Sequence, residues 1–333
     1  MTSALFRGIV RECRAKRPAL PGFPDPGRRE EEIHLKLPVR NALILFLAAS
    51  IWGTAFVAQR LGMDYVGPFT FNAARYLAGG LVLVPVILFR KHVLHVRAFR
   101  PSRNLQAGIC CGLFLFAASS LQQAALLTTD VGKAGFLTAM YIILVPVFHF
   151  FMGRPSGIRL WISVAIAAAG LYFLSVQGGF YLERGDLLLI LCAGVFSLHI
   201  LCVDHFSPDT DPVIISSLQF FTAAALSLAF ALPLEEIGLP ALAGAAWPIL
   251  YAGIFSCGVA YTCQIIGQKG ADPSYASLIL SLESVISVLS GFLILGQALT
   301  ARELLGCGLM FLAILLVQLP ERKREAEAGK ASV

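Results

Sequence analysis

Along this chain apolar residues come in runs of about 20, separated by short joins rich in glycine, proline and charge. A bilayer-crossing helix needs about 20 mostly apolar residues, each rising about 1.5 Å. That ruler predicts ten spans, at 41–61, 68–89, 104–126, 131–151, 157–176, 185–203, 212–233, 245–267, 273–295 and 301–319. Breakers mark the joins: Gly67-Pro68, Pro101-Ser102, Pro155-Ser156-Gly157, Gly178-Gly179, Pro208 with Pro212, Pro240 and Asp272-Pro273. At 126–131 and 267–273 apolar character barely dips, so those joins are the faintest. Hydrocarbon offers the backbone no water, so the runs are expected as helices rather than open strands.

Composition strengthens this reading. Hydrophobic residues make up 57% of the 333 and charged residues 14%, with a mean hydropathy of +0.76. A soluble domain carries roughly 25% charge, so two soluble domains are excluded, as are disordered, collagen-like and disulfide-framework classes. The net charge of +6 does not point to nucleic acid, because Lys and Arg sit in the tails and short joins. With the N-terminus cytoplasmic, most of the 26 Lys and Arg fall on the cytoplasmic side, which places both termini there. The acidic stretch 204–211 is the exception. The eight cysteines lack zinc-site spacing and read as small buried hydrophobes, Cys13 in the N-terminal tail excepted. Residues 1–38 hold seven arginines and lysines from Arg7 to Arg29, interrupted by prolines. They read as a disordered basic tail, or as a start codon placed too far upstream, rather than a removable secretory signal. Residues 321–333 form a second charged tail.

The first half lies over the second with an offset of about 142–144 residues. Pro68 falls on Pro212, Arg75 on Gln219, Ala118 on Ala260, Gln122 on Gln264, Ala134 on Ala276 and Phe150 on Phe292. Breakers and polar residues coincide as well as apolar ones, which points to five-span repeats at 39–178 and 184–320. Five is odd, so the second copy enters the membrane from the opposite side. The expected architecture is an all-α membrane protein of ten transmembrane helices, two inverted-topology repeats around a central cavity, with the ligand near the midplane.

Charge at the centre of a spanning helix costs roughly 2.5–3.5 kcal/mol. Glu283 lies roughly 15 Å into its span and Arg75 roughly 10 Å, so both are expected at a polar cavity. Lys133, at a helix start beside Asp130, is placed to snorkel to the surface. Stripes at helical spacing add Glu283, Ser287 and Ser290; Tyr261, Gln264 and Gln268; Ser119 with Gln122 and Gln123; Asn72 with Arg75 and Tyr76; and Thr138 with Tyr141. Gly108 and Gly112 read as close helix packing, and His149 and His199 as hydrogen-bonded packing residues. Metalloprotease, nucleophile-elbow and phosphate-loop motifs are absent from the sequence, so neither catalysis nor a bound cofactor is expected.

Three segments resemble the drug/metabolite transporter superfamily and its EamA-type permeases. They are the run from Trp52-Gly53-Thr54 to Gln59, the run from Gly67-Pro68 to Arg75-Tyr76, and the run from Gly132-Lys133 to Met140-Tyr141 with Pro146. Ser281-Leu282-Glu283-Ser284 is similar to the family's ninth-helix motif. In Leu295-Gly296-Gln297-Ala298-Leu299-Thr300, Gln297 stands where the family usually has Glu. The resemblance covers roughly 40–320. It implies ten helices, two EamA repeats, a substrate cavity and a bacterial inner-membrane address, with small metabolites often moved outward.

The sequence thus predicts a secondary transporter exporting a small metabolite or drug-like solute by alternating access. Its partners are a small-molecule substrate, membrane lipid and a proton that could couple through Glu283; its oligomeric state stays open. Candidate cavity residues are Trp52, Asn72, Arg75, Gln122, Lys133, Tyr141, Tyr261, Gln264 and Glu283. A membrane-embedded enzyme and a channel or sensory subunit are the competing readings.

Overall fold

The computed structural model describes residues 37–93, 101–129, 131–153, 157–175, 183–295 and 300–318. The expectations for the N-terminal tail up to residue 36, the 321–333 tail, Asp130 and Gln297 lie outside them. All regular structure among the described residues is helical: α1 (Val39–Gly62), α2 (Pro68–His92), α3 (Pro101–Ala125), α4 (Val131–Ala139), α5 (Tyr141–Phe151), α6 (Ile158–Ser175), α7 (Arg184–Phe206) and α8 (Pro212–Leu234) come first. There follow α9 (Leu239–Gly244), α10 (Ala246–Tyr251), a π-helical segment Ala252–Tyr261, α11 (Thr262–Gln268), α12 (Pro273–Leu280), α13 (Glu283–Leu295) and α14 (Ala301–Gln318).

Among the described residues eight rods are long and apolar enough to cross a bilayer: Val39–Gly62, Pro68–His92, Pro101–Ala125, Val131–Phe151, Arg184–Asp209, Pro212–Leu234, Ala246–Gln268 and Pro273–Ile294. The expected spans 157–176 and 301–319 are the 18-residue helices α6 and α14, the first holding a shorter apolar stretch, Ile158–Phe173. This is an all-helical membrane protein, and its polarity is turned outside in. Leu43, Leu47, Leu81, Phe89, Leu187 and Leu315 are exposed on its flanks, while Gln59, Asn72, Arg75, Gln219, Gln268 and Glu283 are buried. Where the surrounding solvent is lipid, apolar flanks need no cover and polar groups must find partners inside.

Both faint joins are real, and at 267–273 local chemistry makes the join. The Asp272 side chain accepts from Ser274 N at 2.8 Å, with Pro273 at the first helical position. Gly270 before it has φ +74°, a left-handed conformation that glycine adopts without a Cβ penalty. Asp211 caps α8 likewise, accepting from Val213 N at 3.0 Å and Ile214 N at 3.3 Å. α2 has no side-chain cap of its own at Gly67. Its orphan N–H groups at Phe69 and Thr70 donate instead to Glu235, just past the far end of α8, at 2.9 and 2.7 Å.

Three rods expected to be continuous are interrupted. α4 gives way to α5 at Met140, where Met140 N reaches Leu137 O and Ile143 N reaches Met140 O in tight i→i+3 turns. α12 gives way to α13 at Ser281-Leu282 by the same device, Leu282 N to Ile279 O and Ser284 N to Ser281 O. The third rod is widened by its π segment, a geometry that concentrates at functional sites.

Packing follows small residues. α2 lies along α8, α6 along α14, and α3 against both α7 and α8; α1 packs on α13 and on the π segment. A Cβ at Gly108 or Gly112 would run into Leu218 or Thr222, so that glycine pair brings α3 against α8. A Cβ at Gly170 would press on the backbone of Gly306 and Met310, which sets the α6–α14 approach.

Candidate functional site

One cavity lies at the meeting of α1, α2, α3, the α4–α5 and α12–α13 breaks, α7 and the π segment. Trp52, Arg75, Gln122, Tyr141, Tyr261, Gln264 and Glu283 all line it. So do Phe56, Gln59, Thr138, Phe196, His199, Ile200, Ser256 and Leu280. Seven of the nine candidates drawn from sequence therefore come together. The other two are elsewhere. Asn72 is buried behind the lining and accepts from Arg75 Nε at 2.9 Å. Lys133 pairs at 2.7 Å with Asp186, whose side chain is fully buried at the start of α7. Lys133 is expected to snorkel; its side chain stays 29% exposed and supplies the counter-charge to fully buried Asp186, a carboxylate that would be costly to leave unpaired.

Arg75 enters through the first turns of α2, where Gly67-Pro68 starts the helix. Its guanidinium donates to Asn72 Oδ1 at 2.9 Å, Gln59 Oε1 at 2.8 Å and the Tyr76 hydroxyl at 3.0 Å. It also lies over the Tyr76 ring, 4.7 Å from the centroid. The main-chain carbonyl of Gln59 accepts from Gln123 Nε2 at 3.1 Å. Glu283 is the first residue of α13, and its Oε1 accepts from the Tyr141 hydroxyl at 2.9 Å. Tyr141 is the first residue of α5. Each helix break thus delivers one of the two groups.

The walls between them are aromatic. Trp52 meets Tyr261 edge-on at 4.7 Å, and His199 meets Tyr261 at 6.0 Å. Trp52 Nε1 donates to the carbonyl of Ser256 at 3.2 Å, tying α1 to the π segment. Gln122 Nε2 donates to Thr138 Oγ1 at 3.2 Å. His199 Nε2 sits 3.1 Å from the side-chain amide of Gln219. Neither His199 Nδ1 nor Gln264 Oε1 has a hydrogen-bond partner among the described residues.

Other expectations are corrected. The serine stripe below Glu283 does not reach the cavity: Ser290 Oγ bonds back to Ile286 O at 2.7 Å, and Ser287 faces Gly135 across a helix contact. Gln268 spends its amide on Ile200 O at 3.3 Å, and Ser119 bonds to Phe116 O at 3.3 Å. His149 pairs with Asp272 and Ser274, as a packing histidine should, whereas His199 joins the lining. Its heptad-like spacing to Cys192 and Phe206 carries no polar neighbour that would have marked it out. Among the described residues no cluster of three or more His, Cys, Asp or Glu is arranged to hold a metal ion.

Comparison with known proteins adds a family. Residues 40–176 and 183–319 each match the model of the EamA-like transporter family. An uncharacterized transporter of Archaeoglobus fulgidus is 29% identical over 279 residues, 83% of this chain and 84% of that protein. The uncharacterized inner membrane transporter YedA of Escherichia coli K12 is 27% identical over 291 residues, 85% and 91% of the two chains. A WAT1-related chloroplastic protein of Arabidopsis thaliana, At3g02690, is 23% identical over 81% of this chain and 67% of its own. One solved crystal structure superposes with a TM-score of 0.69 at 22% identity, over 84% of this chain and 96% of that one, so the two share a fold.

Proposed function

Because this chain belongs to the EamA-like transporter family, a family of transporters and not of enzymes, we propose that its cavity is the substrate site of a secondary carrier. The carrier exports a small metabolite or drug-like solute across the bacterial inner membrane by alternating access, with both termini in the cytoplasm. One observation carries the reading: a buried cation and a buried carboxylate, Arg75 and Glu283, face a single aromatic-walled cavity. In a structural brace the two would be expected in contact with each other or with other charges. Among the described residues neither makes an ion pair.

Ten spans in two inverted repeats complete the proposal, with α6 and α14 as the fifth and tenth. Support comes from the way packing partners exchange. The third rod packs on the seventh as the second packs on the eighth; the third packs on the sixth as the first packs on the eighth. The fourth packs on the sixth as the first packs on the ninth. Such reciprocity follows from a two-fold relation between halves, and an odd number of spans per half lays its axis in the membrane plane. The sequence holds no phosphate loop, which favours an ion gradient over ATP as the source of work.

Glu283 is the group proposed to carry a coupled proton. Export and resistance profiling of an overexpressing strain, then counterflow of the hits in proteoliposomes, tests the carrier. Saturable exchange is expected, and flux without exchange would mean a channel. Glu283→Gln should abolish proton-driven uptake while sparing some exchange. If it leaves transport and its pH dependence as they were, coupling through this carboxylate is wrong.

A further inference from the structure

Arg302 is held by rings and, among the described residues, by no oxygen. Arg60 donates to Asp64, Arg75 to Asn72 and Gln59, and Arg90 to Asp211. The half-buried guanidinium of Arg302 instead lies over two rings of α6, 5.2 Å from the centroid of Tyr172 and 5.5 Å from that of Phe173. Its Nε is buried and has no hydrogen-bond partner among the described residues. Glu303, the next residue, serves the helix start: its Oε2 accepts from Thr300 N and Thr300 Oγ1, both at 2.7 Å. Attraction to a ring positions a guanidinium but satisfies none of its N–H donors, which radiate in its plane. Those donors suit an acceptor that arrives from outside the chain.

Position says what that acceptor is. α14 has 18 residues and is about 27 Å long at 1.5 Å a residue, close to the thickness of the hydrocarbon layer. Arg302 is its second residue, so it stands at the edge of that layer, where lipid phosphates lie. Tyr172, exposed beside it, has the amphipathic ring that collects at this depth. Away from this end both helices turn apolar residues outward: Ala169 and Ala165 on α6, Leu305 and Leu312 on α14. The cradle is also fixed, because Gly170 lets α6 close on the backbone of Gly306 and Met310.

We propose that Arg302, backed by Tyr172 and Phe173, binds the phosphate of a phospholipid at this end of the α6–α14 pair. The guanidinium takes two phosphate oxygens as a fork, the rings cover its face, and an acyl chain lies on the apolar flank. None of these residues lines the central cavity, so the site is separate from the one proposed for substrate. On the topology proposed above it opens to the outer leaflet. A soluble phosphate offers the same oxygens, but one guanidinium beside water holds an anion weakly. A phosphate tethered to a chain already in the bilayer is presented at high effective concentration. The bound lipid would tie the first turn of α14 to the last turn of α6.

The test is thermal stabilisation of the purified full-length protein, stripped of native lipid in detergent, by three probes. Phosphatidylglycerol carries phosphate and chains, the diacylglycerol with the same chains lacks the phosphate, and glycerol 3-phosphate lacks the chains. Phosphatidylglycerol should reach half-saturation at least about tenfold below either of the others, the order expected of one charge-assisted pair. Arg302→Gln should raise its half-saturation at least about tenfold. Arg302→Lys, which keeps the charge without the planar fork, should fall between. Arg184→Gln, which removes an exposed arginine at the start of α7, should change nothing. Should Arg302→Gln aggregate, Tyr172→Leu replaces it, and loss of the ring should weaken phosphatidylglycerol about two- to fivefold. Phosphatidylglycerol that fails to stabilise the protein, or that acts alike on wild type and on the variant used, overturns the inference. So does diacylglycerol or glycerol 3-phosphate matching it on wild type, the latter making this a site for soluble phosphate. Equal losses in Arg184→Gln and Arg302→Gln would overturn it too, since any basic residue at that depth would then serve.

Discussion

At the residue scale, hydrocarbon makes charge conspicuous. Arg75 and Glu283 stand out in the sequence because an unexplained charge at that depth is costly. Their partners do not stand out. Lys133 meets Asp186 across 53 residues, and Arg90 meets Asp211 across 121, separations that only the folded bundle closes. The Arg90 pair also answers the acidic 204–211 stretch. Arg90 holds both oxygens of Asp211 at 2.9 Å, while Asp211 Oδ1 caps α8. Asp211 therefore does two jobs and Arg90 one. Asp211→Ala should lose about 1 kcal/mol from the cap and about as much again from the bidentate pair. Asp211→Asn should keep most of the cap, and Arg90→Ala all of it. Thermal unfolding in detergent should therefore rank Asp211→Ala below both of the others; Arg90→Ala as damaging as Asp211→Ala would show that the cap contributes nothing.

At the element scale, rods were legible and their flaws were not. A run of apolar helix formers specifies that a segment spans, since every backbone group must be paired within it. It does not specify that the spiral tightens at Met140 and Leu282 or widens over Ala252–Tyr261. Neither Met140-Tyr141 nor Leu282-Glu283 contains Gly or Pro; Pro146 stands one turn beyond the first break, and the two breaks meet through the Tyr141–Glu283 hydrogen bond. Glycines show the same limit. Gly170 and Gly308 look alike in the sequence, both inside apolar helices. An added Cβ at Gly170 would sit 2.9 Å from Gly306 O and 3.0 Å from Met310 N, backbone atoms that cannot swing away, whereas at Gly308 nothing lies within 4 Å. Gly170→Ala should therefore destabilise by about 1–3 kcal/mol through overpacking. Gly308→Ala should be neutral, or stabilise by about 0.5–1 kcal/mol through helix propensity. Equal effects in thermal unfolding would mean that α6 and α14 do not approach each other this closely.

At the scale of the whole molecule, the sequence offered a repeat and the bundle gives the repeat a meaning. Two copies laid parallel would put equivalent residues on the same face of the membrane; two copies laid inverted put them on opposite faces. Asp64, just beyond α1, and Pro208, just beyond α7, are such a pair, and both are exposed. The Asp64 side chain bonds only to Arg60 among the described residues, at 2.8 Å on the surface, a pair worth less than about 1 kcal/mol, so replacing it should leave the fold intact. In a background with the native cysteines replaced, Asp64→Cys should react with a membrane-impermeant maleimide in intact cells. Pro208→Cys should react only after permeabilisation. That second site lies in the acidic stretch, whose net charge argues for the outside if every charge counts. Orientation follows Lys and Arg, with Asp and Glu contributing little, so the cytoplasmic face remains the expectation for it, and the bidentate hold of Arg90 on Asp211 ties that stretch to the basic end of α2. Both cysteines reacting from the same side would make the copies parallel. The exchange of packing partners would then have no two-fold to explain it.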